Sequence, residues 1–227
     1  MTDADSFCRI AAVIPEVVLA SPHENARIIA LSAIELAEKG VALAVYPELS
    51  LTGYSCGDLF LQQSLLNTAV ESLWEFVRTT RDLTMVKIVG LPVTWNGRVY
   101  NCAAVCFRGK VWGIVPKSFL PARGEFYELR WFTPGLGIKD ENVKIKGEDI
   151  PFGSDLLFSI EGAGAEVILG VEICEDLWAV EPPSSRMAAG GANLICNLSA
   201  SPETLGKAEY RRKLVEGQSA RAICVYV

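Results

Sequence analysis

Histidine is almost missing from this chain: one imidazole, His23, in 227 residues. That scarcity removes two large classes of chemistry. A zinc site of mixed Cys/His ligands has almost nothing to be built from, and a Ser-His-Asp or Cys-His enzyme has His23 or nothing. Also missing is any CxxC pair among the seven cysteines, Cys8, Cys56, Cys102, Cys106, Cys174, Cys196 and Cys224. The start, Met1-Thr-Asp-Ala-Asp-Ser6, has neither a basic stretch nor a long apolar one. An odd number of scattered thiols behind such a start predicts no secretory leader and reduced cysteines in the cytoplasm. No apolar run approaches the roughly 20 residues of a membrane helix. Lys and Arg nowhere cluster, and 21 basic against 27 acidic residues leave a formal net charge of −6. That balance argues against a nucleic-acid footprint or a patch for an anionic membrane, and leaves small soluble molecules as the default substrates.

Half of the residues are apolar and about a fifth are charged, which excludes a disordered chain and predicts one domain with a sizeable core. Phe7–Ile14 reads as a mostly buried strand. Ser21-Pro-His-Glu24 follows as a capping box with proline at the first helical position. The helix after it turns Ala26, Ile29, Ala30, Ala33, Ile34 and Ala37 inward and ends at Gly40 in a left-handed conformation. Val41–Tyr46 is a short apolar strand covered on both faces. A second helix is expected over Asp58–Asp82, with Leu59, Leu66, Val70, Leu73 and Val77 inward, and a strand over Met85–Val93. Arg98–Phe107 and Lys110–Val115 flank Arg108-Gly109 as a tight hairpin, and Phe119 to about Pro151 reads as a long irregular stretch. Strands at Asp155–Ile160 and Val167–Ile173 enclose a Gly162-Ala-Gly164 turn. A helix at Pro183–Ala189, a strand at Ala192–Leu198, a helix at Lys207–Ala222 and an apolar strand at Ile223–Val227 complete the pattern. The last strand has no polar cap, so the native chain is expected to continue. Strand–helix–strand alternation with hairpins predicts an α/β protein with a mixed sheet, or two sheets, covered by helices.

Three times an apolar strand ends at a polar, reactive residue. VALAVYPELSLTGY places Glu48 just past a strand, GKVWGIVPKSFLP places Lys117 after another, and EVILGVEICEDLW places Cys174 after a third. The carboxyl ends of strands are where α/β folds bind ligands. Singly, each residue is more simply a solvated strand end or, for the thiol, a small buried hydrophobe. Together they make a histidine-free set: a thiol nucleophile, a carboxylate to take its proton, and an ammonium to stabilise thiolate and oxyanion. The backbone N–H of Glu175 can give the oxyanion a second donor.

The segments PELSLTGY, PKSFLP and EICEDLW resemble the nitrilase, or carbon–nitrogen hydrolase, superfamily, whose catalytic set is glutamate, lysine and cysteine in that order. The resemblance implies Glu48, Lys117 and Cys174 as that set. It also implies a further supporting glutamate soon after the lysine, for which Glu125 and Glu128 are both candidates, and an αββα sandwich. Longer stretches, among them PELSLTGYSCGDLF, EFYELRWFTPG and NLSASPETLGKAEYRR, resemble the amino-terminal glutaminase domain of the glutamine-dependent NAD+ synthetase family. That implies a glutaminase domain over residues 1–227, shortened at its C-terminal end, and glutamine as substrate. It also implies ammonia delivered to a C-terminal synthetase domain outside this chain, where ATP and Mg serve amidation of nicotinic acid adenine dinucleotide, and a homo-oligomer. No cofactor and no metal are expected in the domain itself.

Substrate contacts are expected from Arg123, which stands where the family pattern has a tyrosine, from Ser201 in the loop after Asn197, and from Lys207, where relatives often carry arginine. Trp178 can wall a pocket or pack in the core. Glu175 and Asp176 can orient an α-amino group or stand as solvated acids. Asp58 flanks the first motif. Cys102 and Cys106, four apart on one strand face, read as buried small residues. Two classes of function stay open: an amide hydrolase, feeding a partner domain or acting alone as an amidase, and a non-catalytic α/β assembly module.

Overall fold

The computed structural model describes residues 8–160 and 166–227. Eleven strands and four α-helices occur among them: β1 (Ile10–Ala12), α1 (Pro22–Glu38), β2 (Leu43–Val45), α2 (Gln63–Thr79), β3 (Val86–Trp95), β4 (Arg98–Phe107), β5 (Lys110–Pro116), β6 (Glu141–Ile145), β7 (Glu148–Phe152), β8 (Leu157–Ile160), β9 (Val167–Ile173), α3 (Pro183–Ala189), β10 (Leu194–Leu198), α4 (Lys207–Ala222) and β11 (Val225–Tyr226). The strands form two sheets. One runs β1-β2-β3-β4-β5-β7-β6 and the other β11-β10-β9-β8. In the first, β1, β2 and β3 are parallel, β3-β4-β5 is an antiparallel meander, and the β6–β7 hairpin joins the far edge through β7 alongside β5. In the second, β9, β10 and β11 are parallel and β8 is antiparallel.

Burial resolves four layers. Leu43, Val45, Val86, Ile88, Ala103, Val105 and Val115 of the first sheet face Leu169, Val171, Ile173, Leu194 and Cys196 of the second, and this inter-sheet core extends to Cys174. On the outer face of the large sheet, Ala26, Ile29, Ala30 and Ala33 of α1 and Leu73, Phe76 and Val77 of α2 pack against Ala44, Val89, Leu91, Cys102, Ala104 and Cys106. On the outer face of the small sheet, Met187 and Ala222 meet Ile168, Ile195 and Tyr226. This is an α/β sandwich in the order helix, sheet, sheet, helix. Alternation along β4 explains the sorting: Cys102, Ala104 and Cys106 point to the helices, Ala103 and Val105 to the other sheet. The large sheet has apolar layers on both sides, which is why its central strands read as continuous apolar runs.

Several expectations are corrected. Ser21 does cap α1 with Pro22 behind it, but no side-chain bond closes a capping box. Glu24 is taken instead by Arg27, one turn on, at 2.6 Å and 3.0 Å. The helix expected from Asp58 begins only at Gln63. Tyr54–Leu61 is a separate 3₁₀ segment broken at Gly57 (φ 59), and Gln62 is extended; Leu59 accordingly stays partly exposed. The stretch Phe119–Pro151 is not irregular throughout. It holds a 3₁₀ turn at Glu128–Arg130 and the β6–β7 hairpin, whose Lys146-Gly147 turn has φ of 49° and 88°. The first strand is shorter than Phe7–Ile14, and Phe7 and the Gly162-Ala-Gly164 turn lie outside the described residues. Arg108 and Gly109, with φ of 45° and 74°, make the expected tight hairpin turn, and α3, α4 and β9 fall where periodicity puts them. Among the described residues no helix is long and apolar enough to cross a membrane.

One glycine decides where the loop after β2 can lie. A Cβ on Gly90, in the middle of β3, would sit 2.3 Å from the Leu49 nitrogen and 2.7 Å from the Pro47 oxygen. The turn carrying Glu48 therefore rests directly on the β3 backbone, tied to it by Leu51 N–H to Gly90 O at 3.0 Å and Gly90 N–H to Ser50 Oγ at 3.1 Å. Gly90→Ala is expected to destabilise the fold by about 1–3 kcal/mol or more through overpacking, read from the denaturant midpoint. A parent-like midpoint would mean that the Pro47–Leu49 turn yields without cost.

Candidate active site

Glu48 lies three residues beyond β2, Lys117 directly follows β5 and Cys174 directly follows β9. The first two strands belong to the large sheet and the third to the small one. Face-to-face packing brings the strand ends together over the inter-sheet core. The sequence separations of 69 and 57 residues vanish in space: Lys117 Nζ is 2.6 Å from Glu48 Oε1, and Cys174 lies close enough to both for their charges to act on its thiol.

Of the two candidates for the supporting glutamate, the structure selects Glu128. Its oxygens lie 2.7 Å and 2.9 Å from Lys117 Nζ, whereas Glu125 is exposed and bonds to none of these groups. The phenol of Tyr54 donates to Glu128 Oε1 at 2.6 Å. Glu48 is as fully engaged. Its Oε1 also accepts Asn101 Nδ2 at 2.7 Å, and its Oε2 accepts the Ala200 N–H at 3.1 Å. Lys117, Glu48 and Glu128 are all buried, at 0%, 2% and 1% exposure, so their charges are not screened by water.

The electrostatics follow from that burial. Desolvation disfavours the Lys117 ammonium, but the Glu48 and Glu128 carboxylates outweigh it and hold the ammonium above the ordinary lysine range. Burial, then the charge of Glu48, pushes Glu128 up, against the pull of Lys117. Burial and the Glu48 charge push the Cys174 thiol up to about 12, against Lys117 and the donors at Ser199 and Ala200. The resting thiol is therefore protonated, with a carboxylate beside it that can take the proton.

The backbone is built to hold this geometry. Cys174 has φ 46 and Leu49, next to Glu48, has φ 52, both in the left-handed region that non-glycine residues avoid. The Cys174 N–H is bound by Asn197 Oδ1 at 3.0 Å. A Cβ on Gly135 would sit 2.6 Å from Pro116 Cβ, and the Gly135 N–H donates to the Lys117 carbonyl at 2.7 Å. Asp176 is neither a solvated acid nor a substrate contact. It is buried, with Oδ1 accepting the N–H groups of Ser118 and Phe119 at 3.0 Å and 2.8 Å and Oδ2 that of Ile173 at 2.9 Å. One side chain thus ties the residues after Lys117 to the residue before Cys174. Burial pushes its carboxyl well above the usual range, while these backbone donors act the other way. Asp58 works from outside: it accepts Arg130 Nε and Nη2 at 2.6 Å and 2.8 Å and Trp131 Nε1 at 2.8 Å, clipping down the turn that carries Glu128.

Cys174 opens into a cavity of about 320 Å³, whose walls include Arg123, Glu125, Phe126, Glu175, Trp178, Ser201 and Lys207. All five residues expected to touch substrate line it, and Glu125 joins them at the wall rather than at Lys117. Arg123 reaches Glu175 at 3.4 Å. Trp178 is a wall and not core: it stacks on Tyr210 of α4 with ring centroids 5.4 Å apart, and Lys207 Nζ lies over the Phe126 and Trp178 rings at 5.7 Å and 5.8 Å. Among the described residues no group of three or more His, Cys, Asp or Glu side chains is arranged to hold a metal ion.

The sequence reading missed Asn101, Tyr54, Asn197, Gly90 and Gly135. A polar asparagine inside the apolar run of β4 is a signal that could have found Asn101; a lone glycine in a strand is one for Gly90.

The carbon–nitrogen hydrolase family profile matches residues 9–227. A glutamine-dependent NAD(+) synthetase of Mycobacterium tuberculosis is 43% identical over 221 residues, 97% of this chain and 32% of that protein. The crystal structure of a glutamine-dependent NAD(+) synthetase from Cytophaga hutchinsonii superposes with a TM-score of 0.85 at 32% identity, over 96% of this chain and 35% of that one. An amidase from Nesterenkonia sp. shares the fold, with a TM-score of 0.74 at 19% identity over 98% of this chain and 75% of that one. The chain spans about a third of the length of the two synthetases.

Removing the ammonium tests the charge balance. Lys117→Met leaves two buried carboxylates facing each other and is expected to cost about 3–5 kcal/mol of stability near neutral pH. Glu128 is pushed up even in the parent, against the pull of Lys117; without that pull it binds its proton more tightly still, so falling pH favours the folded variant more than the folded parent. The stability gap to the parent should therefore narrow as pH falls from 7 toward 5, read in denaturant melts. A gap that widened over that range would refute the assignment.

Proposed function

The chain belongs to the carbon–nitrogen hydrolase family, and from that premise we propose that it hydrolyses the side-chain amide of glutamine through a Cys174 thioester. The observation that carries the reading is the cavity above Cys174. It has basic groups, Arg123 and Lys207, and acidic ones, Glu125 and Glu175, at its walls, and so suits both the α-carboxylate and the α-ammonium of a free amino acid. The neighbouring triad supplies amide chemistry. A simple aliphatic amide would have no use for charges of both signs.

Cys174 attacks the amide carbon as Glu48 takes the thiol proton. The carbonyl oxygen becomes an oxyanion stabilised by the Lys117 ammonium and the Glu175 N–H. Collapse breaks the C–N bond, and Glu48 passes its proton to the departing ammonia, leaving a γ-glutamyl thioester. Glu48 then draws a proton from water, which attacks the thioester. Glutamate leaves, and the proton returns to Cys174. Over the cycle glutamine and water become glutamate and ammonia, with the side chains restored. Glu128 and Tyr54 keep the ammonium in place throughout. The name of the relatives, glutamine-dependent NAD(+) synthetase, supports a use for the ammonia in making NAD; as part of the same proposal, a C-terminal synthetase domain outside this chain would use ATP and Mg²⁺ to amidate nicotinic acid adenine dinucleotide.

Ammonia release from glutamine, with asparagine and acetamide as comparisons, tests the reading. The parent is expected to prefer glutamine. Cys174→Ser should remove nearly all release, because the alcohol is far harder to ionise than the thiol. Glu48→Gln should slow acylation and deacylation while leaving glutamine binding nearly unchanged. Release from acetamide but not glutamine would replace the glutaminase reading with a stand-alone amidase, and parent-like turnover by Cys174→Ser would end the thioester mechanism.

A further inference from the structure

Asn197, at the end of β10, uses its whole hydrogen-bonding capacity. Its Oδ1 accepts the Cys174 N–H at 3.0 Å and the Ser199 hydroxyl at 3.0 Å. Its Nδ2 donates to the Tyr226 hydroxyl oxygen at 3.0 Å and lies 3.5 Å from Glu172 Oε1. Two acceptor sites and two donors are all an amide has. The surroundings also fix which way it points. Exchanging oxygen and nitrogen would set an NH₂ against the Cys174 N–H and an oxygen against a carboxylate.

Behind Asn197 stand buried Glu172 and half-buried Tyr226. Tyr226 of β11 donates its hydroxyl proton to Glu172 Oε1, and Glu172 Oε2 accepts the Ser184 N–H of α3 at 2.7 Å. Ahead of it stand both ends of the proton transfer. Cys174 occupies its left-handed conformation (φ 46) with its N–H on Asn197. Ala200, next to the bound Ser199, donates to Glu48 Oε2 at 3.1 Å. Asn197, Glu172 and Tyr226 do not line the cavity.

We propose that Asn197 is a positioning residue for the reaction: anchored on buried Glu172 and half-buried Tyr226, it holds the Cys174 turn and the Ser199–Ala200 loop in register, and so aligns the nucleophile with Glu48. A left-handed non-glycine residue persists only where its surroundings over-determine it. The Asn197 bond is one such determinant, and misplacing reacting groups by about 1 Å can cost on the order of 10²-fold in rate. The kinetic part of this inference rests on the glutaminase reading; the alignment of Cys174 does not.

The test uses Asn197→Leu, which keeps the shape without the bonds, and Tyr226→Phe, which removes one hydroxyl from a residue that does not line the cavity. Two quantities are read at a temperature where thermal melts show each variant folded. They are kcat and KM for glutamine, and the rate of carbamidomethylation of Cys174 by iodoacetamide, followed by peptide mass spectrometry. Asn197→Leu should lower kcat by roughly 10–100-fold with KM little changed, and slow Cys174 alkylation in parallel. Tyr226→Phe should move both rates the same way by less. A folded Asn197→Leu protein alkylated at the parent rate, or a loss confined to KM, overturns the proposal. If Asn197→Leu does not fold, parent-like alkylation of Tyr226→Phe overturns it. A parent that releases no ammonia, combined with slowed alkylation in the variants, would retire the glutaminase reading and leave the role of Asn197 supported.

Discussion

The buried ammonium of Lys117 lies between two buried carboxylates, and the other features of the site follow from the need to hold it there. Its nitrogen is 2.6 Å from Glu48 and 2.7 Å from Glu128, with no water to screen any of the three. Buried charges are tolerated only when paired and hydrogen-bonded. Each carboxylate accordingly has further donors: Asn101 and the Ala200 N–H on Glu48, Tyr54 on Glu128. Burial first, and the Glu48 charge second, keep the neighbouring thiol protonated at rest, against the pull of Lys117. Glu48 is the carboxylate beside it that can take the proton as the sulfur attacks. The near absence of histidine is consistent with this arrangement, since base and electrostatic stabiliser are both present without an imidazole.

The architecture serves that cluster by contributing one group from each of several elements and fixing them by backbone contacts. The Glu48 turn lies on Gly90, and Gly135, further along the loop from the Glu128 turn, lies on Pro116 and donates to the Lys117 carbonyl. Asp176 links the Lys117 and Cys174 segments across the two sheets. Sheet-on-sheet packing sets the gross separation, and these close contacts set the last ångström. The pocket wall is made differently. Arg123 and Lys207 are held by an ion pair and by aromatic faces, a looser arrangement than the buried triad and one suited to admitting a ligand.

Much of this was legible in the chain because it rests on short-range patterns. Apolar runs ending in Glu48, Lys117 and Cys174 marked three strand ends, and β9, α3 and α4 lie where periodicity placed them. What was not legible depends on where a side chain points. Glu125 and Glu128 differ by three residues in an irregular loop, and only the 3₁₀ turn at Glu128–Arg130 sends one inward and leaves the other at the pocket. Asp176 read either as a group for a substrate's α-amino nitrogen or as a solvated acid, yet of the three acidic residues in EICED two, Glu172 and Asp176, are buried. The extended α2 expectation failed because apolar spacing continues across Gln62, where the backbone leaves the helix. The β6–β7 hairpin was hidden in a polar stretch, although Lys146-Gly147 carried a turn signal.

The state of the Lys117 ammonium is the most direct test of this account. With ¹⁵N-labelled lysine side chains, and Lys117→Met to assign the signal, its Nζ can be followed by NMR as pH is raised. The account predicts that Lys117 keeps its proton at pH values where surface lysines have lost theirs. Loss of the proton before the surface lysines titrate would contradict it, since the two carboxylates would then not be holding a buried cation.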